Sequence, residues 1–319
     1  MTKLITGLHH VTAIASDPQK NINFYTQVLG LRLVKKTINF DAPDVYHFYF
    51  GDEVGNPGTL LTFFPFKGAR RGRKGAGELT YTAFSISQSG LDYWRERLKS
   101  LGIALSDTLE RFGQQVLRFD DHDGMGIELV GVENDERNGW SGGSVPSQYA
   151  IKGFFGVTLN LRDKTETIAL LTDVLNYGLL GEEDQKRYRL GIDGKPGEMV
   201  DIVTMDPPFG AIQSAGSVHH LAFRTANATS QLKIQQKLLE YGLQVTEVKD
   251  RNYFRSIYFR EPGGILFEVA TDEPGFMIDE TKDHLGENLQ LPGWAESNRK
   301  GIAERLPKVE VNYSQLWSR

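Results

Sequence analysis

The residues with the most chemistry to offer are two adjacent histidine pairs, His9-His10 and His219-His220, set far apart in the chain. Seven histidines and no cysteine are present, which excludes disulfides, thiolate metal sites and a cysteine nucleophile. Any metal must therefore be held by imidazole and carboxylate. Glu268 is the acidic candidate, at the end of an apolar run within FREPGGILFEVAT (259–271). A carboxylate on a buried strand is costly unless it is paired or bound to a metal. Two imidazoles and one carboxylate with open coordination positions form the facial triad of non-haem iron(II) oxygen chemistry. A ring oxygen and O2 can then share one ion, which holds them together and relays electrons between them. A single histidine is more often a packed core residue, but here two pairs stand at the same point of a repeated segment.

That repetition fixes the elements that must position these side chains. HHVTAIASD (9–17) recurs as HHLAFRTAN (219–227), each an alternating strand that ends in a helix-start signal. The helical segments NINFYTQVLGL and SQLKIQQKLLEYGL follow, stopping at Gly30 and Gly242. Two weaker copies open with ELTYTAFSIS (78–87) and KGFFGVTLNL (152–161), with helices in LDYWRERLKSLG and TETIALLTDVLNYG. The copies also close alike, with GNPGTLLTFF (55–64), FDDHDGMGIELVG (119–131), GKPGEMVDIV (194–203) and FREPGGILFEVAT (259–271). Their Gly/Pro/Asp turns before apolar runs are hairpin chemistry. Each copy reads as strand, helix and about three strands, an α+β chain of four βαβββ units. Units one and two span 6–132 and units three and four 151–272, joined by the linker WSGGSVPSQ (140–148). The tail, 273–319, is punctuated by Pro and Gly and holds one short helix near AESNRKGIAERL.

Four such units, opened by HHV and HHL and closed by a Pro-Gly turn before a strand carrying Glu, resemble the glyoxalase/bleomycin-resistance/extradiol-dioxygenase (vicinal-oxygen-chelate) superfamily. GLHHVTAIASD, NPGTLLTFFPF and SIYFREPGGILFEVATDEPGF carry a closer likeness to bacterial hydroquinone-type ring-cleaving dioxygenases. The resemblance covers roughly 6–272. It implies that units pair into open eight-stranded cups, with one ligand slot on the first strand of each unit and one on the last. Aligning the copies fills the slots with His10 and Thr62, Tyr81 and Glu128, Gly156 and Asp201, and His220 and Glu268. Histidine stands in the first slot of units one and four only. Pairing one with four assembles His10, His220 and Glu268 as metal ligands, and leaves the cup of units two and three without an imidazole. Glu128 reads as structural.

Neighbours on a strand face opposite ways, so one histidine of each pair can enter the cup. His220 shares a face with Ala222 and Arg224, and His219 with Leu221 and Phe223. The smaller, more polar face should line the cup, which selects His220 and, by the repeat, His10. His9 and His219 then fall on the packed side as supporting residues. The resemblance gives Tyr258 the role of hydrogen-bonding the substrate oxygen. Tyr49 is its counterpart in unit one, and His47 shares the Tyr49 face, so His47 is a candidate acid–base group. The histidine that extradiol enzymes place ahead of the second histidine ligand is replaced here by Met205 and Asp206. His47 or His219 would have to take over its proton transfer. Phe48, Phe64, Phe66 and Phe267 are candidate pocket walls, half of which must face away. His122, in a turn, and His284, in the tail, read as surface residues.

Bulk properties narrow the rest. Net charge is −5, with 39% hydrophobic and 24% charged residues, which gives no electrostatic footprint for nucleic acid or an acidic membrane surface. The one basic cluster, KGARRGRKG (67–75), reads as a solvated linker. No run approaches the roughly 20 apolar residues of a membrane span, and MTKLITGLHH is unlike a signal sequence. The cytoplasm is the default location, and monomer and homodimer both stay open. The expected function is ring cleavage of a small hydroquinone- or catechol-like aromatic with O2 and Fe(II), Mn(II) being the alternative ion. Such a reaction belongs to aromatic-hydrocarbon catabolism and detoxification. The rivals are a glyoxalase-like isomerase, disfavoured by Thr62 in the fourth slot, a Mn-dependent thiol transferase, and a non-enzymatic module that binds an aromatic drug.

Overall fold

A computed structural model describes residues 3–106, 108–207, 209–315 and Trp317, so the end of the expected tail lies partly outside the described residues. Each unit starts as its sequence dictates. In unit one, β1 (Leu8–Ala15) runs into Asp17, whose side chain accepts from the Lys20 N–H at 2.8 Å and caps α1 (Pro18–Asn23). Pro18 enters at the first helical turn, where its missing N–H costs nothing. One π turn, Phe24–Val28, continues the helix, and Gly30 ends it at φ +69°. Strands β2 (Arg32–Asn39), β3 (Ala42–Gly51) and β4 (Leu60–Pro65) complete the unit. Unit two comprises β5 (Glu78–Ser87), α2 (Leu91–Ser100), β6 (Leu109–Arg111), β7 (Gln114–Asp120) and β8 (Gly126–Val132). Unit three comprises β9 (Gly153–Leu161), α3 (Thr165–Asp173), β10 (Gly178–Glu183), β11 (Arg187–Gly191) and β12 (Met199–Thr204). Unit four comprises β13 (Val218–Thr225), α4 (Ala228–Glu240), β14 (Lys249–Asp250), β15 (Arg255–Arg260) and β16 (Leu266–Thr271). The Asn227 cap of α4, 3.0 Å from the Ser230 N–H, repeats the role of Asp17.

Two eight-stranded mixed sheets result, in the orders β14-β15-β16-β13-β1-β4-β3-β2 and β10-β11-β12-β9-β5-β8-β7-β6. The first joins unit four to unit one through the antiparallel pair β1/β13; the second joins units three and two through β5/β9. This is the expected nested pairing. The main core gathers Ile22, Phe24, Trp94, Leu170, Ile234 and Leu238 from the helices with strand residues of both sheets. Burial of such side chains contributes about 1.5–3 kcal/mol each. Smaller clusters occupy the other faces: Tyr49, Ala222, Phe254 and Ala270 in the first sheet, and Ala83, Val116, Val130 and Met199 in the second. By strand parity these are the faces that carry Glu268 and Glu128.

The connections and the tail finish the frame. The basic segment 67–75 is mostly exposed but not merely solvated: Arg71 and Arg73 form bridges to Ala215 and Ile212, in the matching connection of the other half. The tail crosses the first sheet. Lys35 on β2, fully buried, is held 2.5 Å from Asp279 and 2.6 Å from Glu280, and Phe276 packs on Tyr49 and Tyr253. The expected short helix is α5 (Arg299–Arg305). Among the described residues no helix is long and apolar enough to cross a membrane.

Candidate metal centre

The site lies where β1 meets β13, and the register there is irregular twice. Leu8 stands opposite Phe223 and His10 opposite Ala222, which leaves His9 as an extra residue. Thr12 stands opposite His220 and Ala13 opposite Val218, which leaves His219 as another. Bulges of this kind re-aim side chains. Strict alternation, which would send His9 and His219 to the packed side, therefore fails. Instead the rings of each pair lie together, His9 Nδ1 2.9 Å from His10 Nδ1 and His219 Nδ1 2.8 Å from His220 Nδ1. His9 packs on Phe254 inside the cup, and His219 lines the cavity.

His10, His220 and Glu268, all buried, converge. Glu268 Oε2 is 2.9 Å from His220 Nε2 and 3.3 Å from His10 Nε2, and the two Nε2 atoms are 3.2 Å apart. The opposite carboxylate oxygen, Oε1, accepts from the Ser256 hydroxyl, while Oε2 has no aligned hydrogen bond despite these short approaches. A buried carboxylate oxygen without an aligned donor, facing two imidazole nitrogens, suits a divalent cation that all three can touch.

Hydrogen bonding settles one tautomer. His9 Nε2 lies 3.2 Å from the Thr271 carbonyl oxygen, which can only accept. Burial, then His10, lowers the His9 pKa well below its ordinary value, so the ring is neutral. His9 Nε2 therefore carries the proton, its Nδ1 accepts from His10 Nδ1–H, and His10 Nε2 presents a lone pair to the centre. Burial also lowers the His220 pKa, opposed by Glu268. For Glu268 burial acts upward, but His10 and His220 outweigh it and hold the carboxyl well below its ordinary range.

A cavity of about 480 Å³ opens over these residues. Tyr258 and Tyr49, directly across the strand pairs from Glu268 and Thr62, both line it, as does His47. Arg251 Nε donates to the Tyr258 hydroxyl at 3.0 Å. Burial, with Glu268 next, raises the Tyr258 pKa, so its own O–H stays available as a donor. His47 has both nitrogens engaged, Nδ1 2.9 Å from the Tyr49 hydroxyl and Nε2 2.9 Å from Thr62 Oγ1. Thr62 in turn is 2.8 Å from Thr12. Burial, then His10 and His220, lowers the His47 pKa well below its ordinary value. Phe64 and Phe66 line the cavity, whereas Phe48 and Phe267 belong to the main core. Arg251 and Phe254, between β14 and β15, were not legible beforehand: nothing in DRNYF marks the chain as turning into the cup.

The other cup holds arginine where the first holds tyrosine. Arg118 stands opposite Glu128 and Arg189 opposite Asp201. Arg118 Nη2 lies 2.7 Å and Arg111 Nη2 2.7 Å from Glu128, and Arg189 Nε lies 2.7 Å from Asp201. Burial acts upward on the Glu128 pKa, but Arg111 and Arg118 reverse it. The structural reading of Glu128 thus has a mechanism. Gly156 could not be a histidine as the strands stand, since a Cβ there would lie 2.4 Å from the Met199 carbonyl oxygen. His284 is exposed as expected. His122 is not: its side chain is 7% exposed and lines a separate cavity, closed over by Phe24.

Several proteins match the chain over nearly its full length. A model of the Glyoxalase/Bleomycin resistance protein/Dioxygenase superfamily matches residues 7–129 and 154–269. MhqE of Bacillus subtilis (strain 168), provisionally named a ring-cleaving dioxygenase, is 46% identical over 95% of this chain and 99% of its own. The chlorohydroquinone/hydroquinone 1,2-dioxygenase of Sphingobium indicum is 35% identical over 90% of this chain and 91% of its own. A crystal structure of a provisionally assigned dioxygenase from Bacillus subtilis superposes with TM-score 0.93 at 43% identity, covering 98% of this chain and 99% of that one. With both the nested sheets and these relatives in hand, the chain belongs to the glyoxalase/bleomycin-resistance/dioxygenase superfamily.

Proposed function

We propose that this chain is a ring-cleaving dioxygenase that opens hydroquinone- or catechol-like rings with O2, using Fe(II), or Mn(II) in its place, held by His10, His220 and Glu268. The observation that carries the reading is the convergence of three buried ligand atoms, with no fourth carboxylate among the described residues, at the floor of an aromatic-lined cavity. The full-length likeness to a hydroquinone 1,2-dioxygenase supports the substrate class. An isomerase of the glyoxalase type would need a further acidic ligand, and Thr62 there is engaged by Thr12 and His47.

Bound metal would supply open positions where a ring oxygen and O2 meet and exchange electrons. The protein's own residues do the rest. Tyr258, fixed by Arg251, donates a hydrogen bond to the substrate oxygen and orients the ring. His47 holds the Tyr49 hydroxyl toward the cavity and, lining that cavity itself, exchanges a proton with the substrate. His219 presents its outer nitrogen to the same space and is a second proton carrier. Phe64 and Phe66 flank the ring and exclude water. The reading places the enzyme in the cytoplasm, with a small aromatic and O2 as its partners in the reaction.

Oxygen uptake by iron-reconstituted protein, given a panel of hydroquinones and catechols, tests this. Tyr258→Phe and His47→Ala should retain metal and lose about 10²–10⁴-fold in turnover. His220→Ala should lose the metal itself. No oxygen uptake by the parent with any dihydroxylated ring would overturn the proposal.

A further inference from the structure

The second cup keeps a cavity that the repeat makes equivalent, in part, to the first. It measures about 650 Å³, and Tyr81, Ser106 and Arg118 line it. These three match His220, Thr246 and Tyr258, which line the metal-bearing cavity. The matches rest on registers. Arg118 faces Glu128 as Tyr258 faces Glu268, and Tyr81 precedes Ala83, the partner of Glu128, as His220 precedes Ala222, the partner of Glu268. Ser106 donates its N–H to the Arg118 carbonyl as Thr246 does to that of Tyr258, at 2.9 and 3.0 Å.

Charge and aromatic surface define what would fit. Behind Arg118, the guanidinium groups of Arg111, Arg118, Arg187 and Arg189 pair with the carboxylates of Glu128 and Asp201, and Arg189 also donates to Gln114 Oε1. Arg118 commits Nε and Nη2 to Glu128 and lies 4.0 Å over the Tyr81 ring. At the far end His122 is enclosed, with its Nε2 3.2 Å from Asp123 but out of hydrogen-bond alignment. Trp317 Nε1 is buried and has no partner among the described residues. Both side chains line the cavity, where an anion reaching their buried nitrogens would give Trp317 Nε1 an acceptor and His122 a further one beside Asp123. The carboxylates nearby are already spent: Asp120 is 3.0 Å from Lys74, and Asp121 accepts the Tyr25 hydroxyl at 2.8 Å and two turn N–H groups. Phe24 and Trp317, edge to face at 5.5 Å, supply flat apolar wall.

We propose that this cavity is a second, metal-independent binding site for a small aromatic anion, with its ring between Tyr81 and the Phe24–Trp317 wall and its charge on Arg118 and the enclosed donors. Nothing in this assignment depends on the chemistry of the metal cup.

Calorimetric titration of the metal-loaded protein with benzoate tests it. Saturable binding is expected, with Kd of about 1 mM or tighter, as suits a ligand of this size. Arg118→Met and Trp317→Phe, the latter keeping the ring while removing the N–H, should each weaken it about tenfold or more. Arg251→Met, in the other cup, should leave it unchanged. The proposal is overturned if no saturable binding occurs, or if Arg118→Met and Trp317→Phe both bind as the parent does. It is overturned equally if Arg251→Met alone abolishes binding, which would put the ligand in the metal cup. Benzamide bound as tightly as benzoate would overturn the anionic class.

Discussion

Thr271 contributes only a carbonyl oxygen to the centre, yet that atom decides which nitrogen of His10 carries the proton, because His9 stands between them. Removing the intermediary should loosen that control. His9→Phe keeps a ring against Phe254 and deletes the acceptor for His10 Nδ1–H. Metal affinity should fall by about 10–100-fold with the fold retained, a range typical for partners of ligating histidines. Competition against a chromophoric chelator would measure it, and unchanged affinity would refute the relay. His47 makes a second prediction, about pH. Its folded pKa is depressed by burial and by His10 and His220, while the unfolded value is about 6.5. Between the two the unfolded chain binds more protons, so stability drops as pH falls below about 6.5, by up to about 1.4 kcal/mol per pH unit. Urea unfolding of His47→Gln should show a shallower acid slope than the parent. Parallel slopes would mean that His47 is not held neutral.

Elements explain what could and could not be read in advance. The four units, the Asp17 and Asn227 caps, the Gly30 and Gly242 stops and the closing strands are local signals, and each falls where the sequence puts it. The nested pairing was readable too, because histidine fills the first slot only in units one and four. The choice of His10 and His220 over their neighbours came from alternation; the two do converge with Glu268, but the bulges undo that argument. A bulge is fixed by the partner strand, so a single strand read alone does not reveal it. Arg251 and Phe254 were missed for a related reason, since a loop's direction is set by what it packs against. His122 looked exposed because its turn is polar, and only α1 and the π turn behind it, bringing Phe24, enclose it.

At the scale of the molecule, buried cations tie the tail to the outer cup, Lys35 foremost. Lys35 is fully buried against Asp279 and Glu280. Lys35→Met would strand a nearly buried carboxylate, Glu280, and loosen Phe276 from Tyr49. A loss of about 3–5 kcal/mol in unfolding free energy is expected, read from equilibrium denaturation; a loss under about 1 kcal/mol would show that the tail holds without it. The nested sheets bear on how the protein is made. On the ribosome the inner sheet, units two and three, has all its strands once Thr204 has emerged, whereas the outer sheet must wait for Thr271. Until then unit one is an unpaired edge carrying one of the three converging side chains, and His10 cannot meet Glu268. A nascent chain therefore lacks the convergence of His10, His220 and Glu268 until unit four is made, and the last unit translated is the one that completes the site.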